Sequence, residues 1–231
     1  MRVLKVLRTA LPVALPIMLG YVAIGIPCGV MAAEVGVGPA AAFLVSATFY
    51  SGAGQFMMSS LALAGTPVAS MVASVALVST RQLLYSAALS PYLAQAPKPL
   101  AALFAATVTD ESFGVNLDRF ASGEGWEVSS ATAVNLASMF SWAAANALGA
   151  AVGPSLAIPT AIMSFAMTSI FVCLLAGQRW DLTNALVAAV AVVGVFALKA
   201  LGAGSLAVLL GALLGILAGL LLGSFKRRGS A

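Results

Sequence analysis

The sequence has no histidine, only two cysteines, and few charges: 8% of its 231 residues are acidic or basic. Soluble domains carry roughly 25% charged residues, so this composition does not describe a water-soluble fold. Without histidine there is no imidazole base for a serine protease working inside a membrane. Cys28 and Cys173 both fall in apolar segments. With no histidine beside them they build neither a metal-ligand pattern nor a disulfide framework, and they read as small buried hydrophobes. An aspartyl protease within the bilayer needs two aspartates on separate spans, and only Asp110 is deeply placed. Phosphate-binding loops and haem-ligand patterns are also missing. These gaps argue against an enzyme, and no cofactor or metal is expected. What is present is apolar: 61% of the residues are hydrophobic, in long runs rather than the short alternating segments of a barrel. The chain is expected to be an all-α polytopic membrane protein.

About 20 apolar residues cross a hydrocarbon core, and that ruler gives eight spans. They run from Leu11 to Ala33, Ala40 to Ala64, Val68 to Leu93, Pro99 to Leu117, Val128 to Val152, Leu156 to Gly177, Leu182 to Leu201 and Ser205 to Phe225. The first carries Pro12, Pro16, Gly20, Gly25, Pro27 and Gly29, which break its regularity. It is long and lacks a convincing cleavage site, so it reads as a retained span rather than a signal peptide. One clearly aqueous loop, Asp118 to Glu127, separates the fourth span from the fifth. With a cytoplasmic N-terminus, Arg2, Lys5, Arg8, Arg119, Arg179, Lys226, Arg227 and Arg228 fall inside, and only Lys98 and Lys199 outside. That asymmetry fits the positive-inside rule and places both termini in the cytoplasm. The net charge of +4 therefore reflects topology anchors and not a nucleic-acid surface.

The second span contains Phe49-Tyr50-Ser51-Gly52-Ala53-Gly54-Gln55-Phe56. Two glycines weaken a helix, and a buried glutamine amide needs partners. Two readings fit. Small residues could let helices pack closely. Alternatively the second helix is broken, and its freed backbone groups hold a small polar solute near the midplane. On the second reading Ser51, Gly52, Gly54 and Gln55 are substrate-binding candidates.

Charged groups at membrane depth are costly, at about +2.5 to 3.5 kcal/mol each on translocon scales. Arg81 lies near the middle of the third span, with Tyr85 one turn later on the same face. Asp110 and Glu111 lie just past the centre of the fourth, where Thr107 would share their face. Either Arg81 pairs with Asp110 or Glu111 to fix helix register, or these residues line a path for solute or proton. In the second case Arg81, with Tyr85, would hold a substrate carboxylate, and Asp110 or Glu111 would carry the proton.

Other signals concern packing. Gly211, Gly215, Gly219 and Gly223 repeat every fourth residue in the last span, a stripe that lets a second backbone approach; its neighbour could be an internal helix or a partner subunit. Asn135, Ser138, Ser141 and Asn146 suit interhelical hydrogen bonds. Trp126, Trp142 and Trp180 suit interface or packing positions. A faint echo at an offset of 120 residues aligns Gly29 and Pro39 with Gly149 and Pro159. It suggests two parallel four-helix halves, 1–117 and 128–231, within one transmembrane domain covering 1–231.

Four motifs in order and spacing then resemble the AzlC (YgaZ-like) family, the large subunit of branched-chain amino acid exporters. They are Leu11-Pro-Val-Ala-Leu-Pro through Gly29, Phe49-Tyr-Ser-Gly-Ala-Gly-Gln-Phe56, Arg81-Gln-Leu-Leu-Tyr-Ser-Ala-Ala-Leu-Ser-Pro91 and Thr109-Asp-Glu-Ser-Phe113. The resemblance implies export of valine, leucine, isoleucine and methionine across the bacterial cytoplasmic membrane. It also implies a small hydrophobic AzlD-like (YgaH-like) partner. The competing class is a channel, or a membrane scaffold that does not transport, serving another small polar solute.

Overall fold

The computed structural model describes residues 2–122, 125–156, 181–202 and 206–228, with isolated helical positions at 165, 169, 172 and 176. Most of the expected sixth span, including Cys173, and also Pro159, Arg179 and Trp180, lie outside the described residues. Among those described, the chain is helical, with no strand. The helices are α1 (Arg2–Glu34), α2 (Pro39–Thr48), α3 (Gly52–Leu63), α4 (Val68–Leu93), α5 (Lys98–Thr107), α6 (Asp110–Ala121), α7 (Val128–Leu156), α8 (Leu182–Ala200) and α9 (Leu206–Arg228). Helices α1, α4, α7 and α8 are each long and apolar enough to cross a membrane. The protein is an all-α polytopic membrane protein.

Two expectations about individual spans need correcting. Pro12, Pro16 and Pro27 lie within α1 and do not interrupt it. A proline removes one backbone donor and crowds the preceding turn, but membrane helices tolerate it where neighbouring helices support the backbone; α1 packs along α7, α2 and α3. The fourth span, expected to be continuous, is instead two helices, α5 and α6, separated at Val108 and Thr109. Thr107 therefore does not share a face with Asp110 and Glu111. It closes α5, and its hydroxyl donates to the Leu103 carbonyl at 2.7 Å.

The chain divides into two compact units. The first comprises Met1–Thr66 and Val78–Ile170, the second Pro67–Leu77 and Phe171–Ala231, so α4 contributes to both. The first unit is built on α1 and α7. Small residues spaced by four, Gly25 and Gly29 on one side and Ala145, Gly149 and Gly153 on the other, bring the two backbones together. A Cβ at Gly29 would lie 2.0 Å from the Asn146 carbonyl oxygen, and one at Gly149 would lie 2.1 Å from that of Ile26. Lipid tails supply no hydrophobic drive between helices, so this close van der Waals approach is what holds them. The contact is reciprocal under the 120-residue offset, because 29 and 149, and 26 and 146, are corresponding positions. Ser141 reaches the Met18 carbonyl at 2.9 Å, and Gly153 meets Val30, so α1 and α7 run in the same direction. Buried Ala10, Ala14, Ile17, Met31, Phe56 and Trp142 fill the surrounding core, and Cys28 lies buried there as a free thiol.

In the second unit α8 and α9 pack against each other. Gly211, Gly215 and Gly219 face Val195, Ala191 and Val187 of α8. The described neighbour of this stripe is thus an internal helix. Gly223 continues the stripe within α9.

Candidate functional site

The first unit contains two interrupted helices, and both interruptions are stabilised by side chains. Between α2 and α3, Phe49 ends one helix and Ser51, in an extended conformation, begins the next. The Gly54 amide donates to the Ser51 hydroxyl at 3.3 Å, satisfying one donor of the helix start. Gln55 repairs the other side. Its amide donates to the Phe49 carbonyl at 2.6 Å, while its oxygen accepts from Ser46 at 2.8 Å and from the Trp142 indole at 3.2 Å. Gln55 is therefore a brace whose groups are occupied inside the protein. Gly54 is required by space: a Cβ there would come within 2.9 Å of the Phe49 ring and 2.8 Å of the Ser51 hydroxyl. A Cβ at Gly52 would touch the Trp142 ring at 3.4 Å.

The second interruption has the same logic. Thr109 is the N-cap of α6 and forms a capping box with Ser112, whose hydroxyl accepts from the Thr109 amide at 2.9 Å. Carbonyls released at the end of α5 are taken up by neighbours. Asn135 of α7 donates to Phe104 at 3.4 Å, and Ser86 of α4 donates to Ala105 at 3.1 Å. Asn135 also accepts from Asn116 at 3.0 Å, and Asn116 accepts from Trp126 at 3.1 Å. This network ties α6 to α7 and to the loop ahead of it.

Three side chains bring the interruptions together. Gln82 of α4 donates to the Tyr50 carbonyl, in the first break, at 2.8 Å. One residue earlier Arg81 pairs with Asp110, in the second break, at 2.9 Å. Tyr21 of α1 stands between them, with its ring edge-on to Tyr50 and Trp142. Its hydroxyl lies 2.8 Å from the Thr109 hydroxyl and donates to Glu111 at 2.6 Å. Tyr85 hydrogen-bonds to the other oxygen of Asp110 and stacks on Phe113. The buried Tyr50 hydroxyl lies beside those of Tyr21 and Thr109.

The electrostatics of the two helix starts differ. Each exposes first-turn amides without intrahelical acceptors and the positive end of a helix dipole. Helix α6 already carries Asp110 and Glu111 there, whereas the first turn of α3 has no acidic residue. An anion would therefore be favoured at the Ser51 hydroxyl and the Gly52 amide, and a cation beside Glu111. Arg81 is engaged by Asp110, which fits its expected role as anchor better than that of carboxylate ligand. Among the described residues no three side chains of the metal-ligating types come together.

Sequence reading passes over Tyr21 and gives Trp142 only a packing role. The signal available for Tyr21 is its spacing, since 21, 25 and 29 share one face of α1 with the two packing glycines. Nothing local marks Trp142, because its partner Gln55 is distant in sequence.

These elements define a polytopic helical membrane protein whose polar centre is built on two interrupted helices. The model of the AzlC protein family matches residues 16–156, a stretch that includes both interruptions, and the chain belongs to that family. It is 29% identical over 192 residues to an uncharacterized membrane protein of Helicobacter pylori (strain ATCC 700392 / 26695), covering 78% of this chain and 79% of the relative. It is 26% identical over 196 residues to the inner membrane protein YgaZ of Escherichia coli (strain K12), covering 80% of each. No solved structure matches the chain.

Proposed function

We propose that this protein is a secondary transporter that exports branched-chain amino acids, valine, leucine and isoleucine, together with methionine, across the bacterial cytoplasmic membrane. Membership of the AzlC family and the membrane relatives support a role in membrane transport. The observation that carries the reading is the convergence of two interrupted helices, restarting at Gly52 and Asp110, on Tyr21 and on the α4 side chains Gln82 and Arg81. Discontinuous helices of this kind bind substrates in transporters, with positive helix ends directed at anionic groups. The substrate carboxylate sits at the start of α3, against the Ser51 hydroxyl and the Gly52 amide, and the ammonium group beside Glu111. Gln55 and Tyr85 hold the frame, and Arg81 fixes Asp110. One of the two acids carries the coupling proton. A small AzlD-like (YgaH-like) membrane subunit completes the exporter, and both termini face the cytoplasm.

Labelled-leucine binding to the purified protein, with and without the small subunit, tests this reading. Valine, isoleucine and methionine should compete. Leucine amide, which lacks the carboxylate, and isocaproate, which lacks the ammonium group, should compete at least about tenfold less well, since each loses a charge-assisted contact. Equal competition by both analogues, or no leucine binding by folded protein in either condition, would remove it.

A further inference from the structure

We infer that Glu111, and not Asp110, takes up and releases the coupling proton, and that Tyr21 is the hydroxyl that switches partner when it does. The inference rests on the transporter reading and assigns roles that the sequence leaves open between the two acids.

The adjacent carboxylates have unlike surroundings. Asp110 is held on both oxygens, by Arg81 at 2.9 Å on one and by Tyr85 on the other. A guanidinium contact of that kind is made to a carboxylate, so the charge on Asp110 is already compensated. Glu111 has no ion pair among the described residues. Its carboxylate accepts from the Tyr21 hydroxyl at 2.6 Å, and the residue is exposed where Asp110 is partly buried. It is therefore open to a proton while Asp110 is kept in its pair.

The ionisable groups facing Glu111 are few. They are Tyr21 from α1, Tyr50 from the first interruption, Tyr85 from α4, and Asp110 with Arg81 behind it. Helices α2, α3 and α7 carry no ionisable side chain at all. Among the described residues no cation is paired with Glu111, so a proton or a substrate ammonium is what can neutralise it.

The hydroxyls beside Glu111 register its protonation by their direction of donation. With Glu111 ionised, Tyr21 has given its single hydrogen to the carboxylate, and its oxygen accepts from Thr109. When Glu111 gains a proton, the new carboxyl O–H donates to the Tyr21 oxygen, and the Tyr21 hydrogen turns towards Thr109. The Tyr21 O–H bond stays intact; only the direction of donation reverses. Protonation at Glu111 is thereby felt at Thr109, the N-cap of α6.

Infrared difference spectra of the reconstituted full-length protein, acid minus alkaline, read this directly. A protonated-carboxyl band should appear that Glu111→Gln removes, Asp110→Asn retains and Tyr21→Phe moves in frequency. A band that survives Glu111→Gln and is lost in Asp110→Asn would overturn the assignment. Should Glu111→Gln fail to insert, an unmoved band in Tyr21→Phe would do the same. Transport gives a second readout. Glu111→Gln should lose the acceleration of leucine flux by a proton gradient, and full retention of that acceleration would contradict the inference. Absence of all leucine flux in the parental protein, with the Glu111 band present, would remove the leucine reading and leave the proton assignment in place.

Discussion

Arg81, in the middle of α4, and Asp110, the first residue of α6, meet at 2.9 Å. The pair joins an uninterrupted helix to the start of a half-helix, and Tyr85, one turn beyond Arg81, closes on the same carboxylate. Removing one partner leaves the other charge at membrane depth without compensation. Arg81→Gln and Asp110→Asn should each lower the melting temperature of the solubilised protein. The double variant should be more stable than the sum of the two losses, by about 2 kcal/mol of coupling. Strictly additive losses would show that the pair does not couple α4 to α6.

The crossing of α1 and α7 makes a prediction about stability alone. A methyl group at Gly29 or Gly149 has no room, because the nearest atoms are rigid backbone at 2.0 and 2.1 Å. Gly29→Ala and Gly149→Ala should each cost about 1–3 kcal/mol, the range for overpacking a tight contact. Gly20, on the same helix with nothing within 4 Å of the corresponding position, is the control. Gly20→Ala should melt no lower than the parental protein, because alanine is the better helix former. A Gly29→Ala protein as stable as the parent would mean that the two helices are not in this close contact.

Gln55 braces the first interruption through both ends of its amide. Replacing it with leucine strands the Ser46 hydroxyl, the Trp142 indole and the Phe49 carbonyl, and each buried unsatisfied group costs about 1–3 kcal/mol. Gln55→Leu should therefore destabilise strongly and change the tryptophan emission spectrum. Gln55→Glu keeps the acceptors for Ser46 and Trp142 and should destabilise less. Equal stability of the two variants would show that these hydrogen bonds do not hold the break.

Thr109 caps α6 and touches Tyr21. Thr109→Ala loses both contacts and should cost about 1 kcal/mol, the usual loss for an N-cap residue, with slower leucine efflux. Thr109→Ser keeps the hydroxyl and should retain both properties. Parallel failure of alanine and serine variants would trace the effect to the methyl group instead.

The fold class is legible in the sequence because apolar run length and scarcity of charge are properties of the chain itself. The first break is legible as one of two readings, from the glycines and the glutamine around Ser51. The second is not, because Val108 carries no sign of ending a helix and Thr109-Asp-Glu-Ser112 uses serine where a capping box more often has glutamate or glutamine. Glu111 and Asp110 can be named from sequence, but their division of partners depends on Tyr21 and Arg81, which only the packing of α1 and α4 brings near. The prolines of α1 mislead in the other direction, since a proline's local cost is visible in sequence while the support given by a neighbouring helix is not. The echo at Gly29 and Gly149 reads as a faint repeat; in the structure the two glycines touch.

Leucine efflux from preloaded cells tests the central claim most directly. Cells expressing this chain with its proposed small subunit should show saturable efflux that an uncoupler suppresses, and the four site variants Arg81→Gln, Asp110→Asn, Glu111→Gln and Thr109→Ala should lose it in whole or in part. Efflux no faster than in cells without the protein, with the protein and its subunit both present in the membrane, would contradict the account.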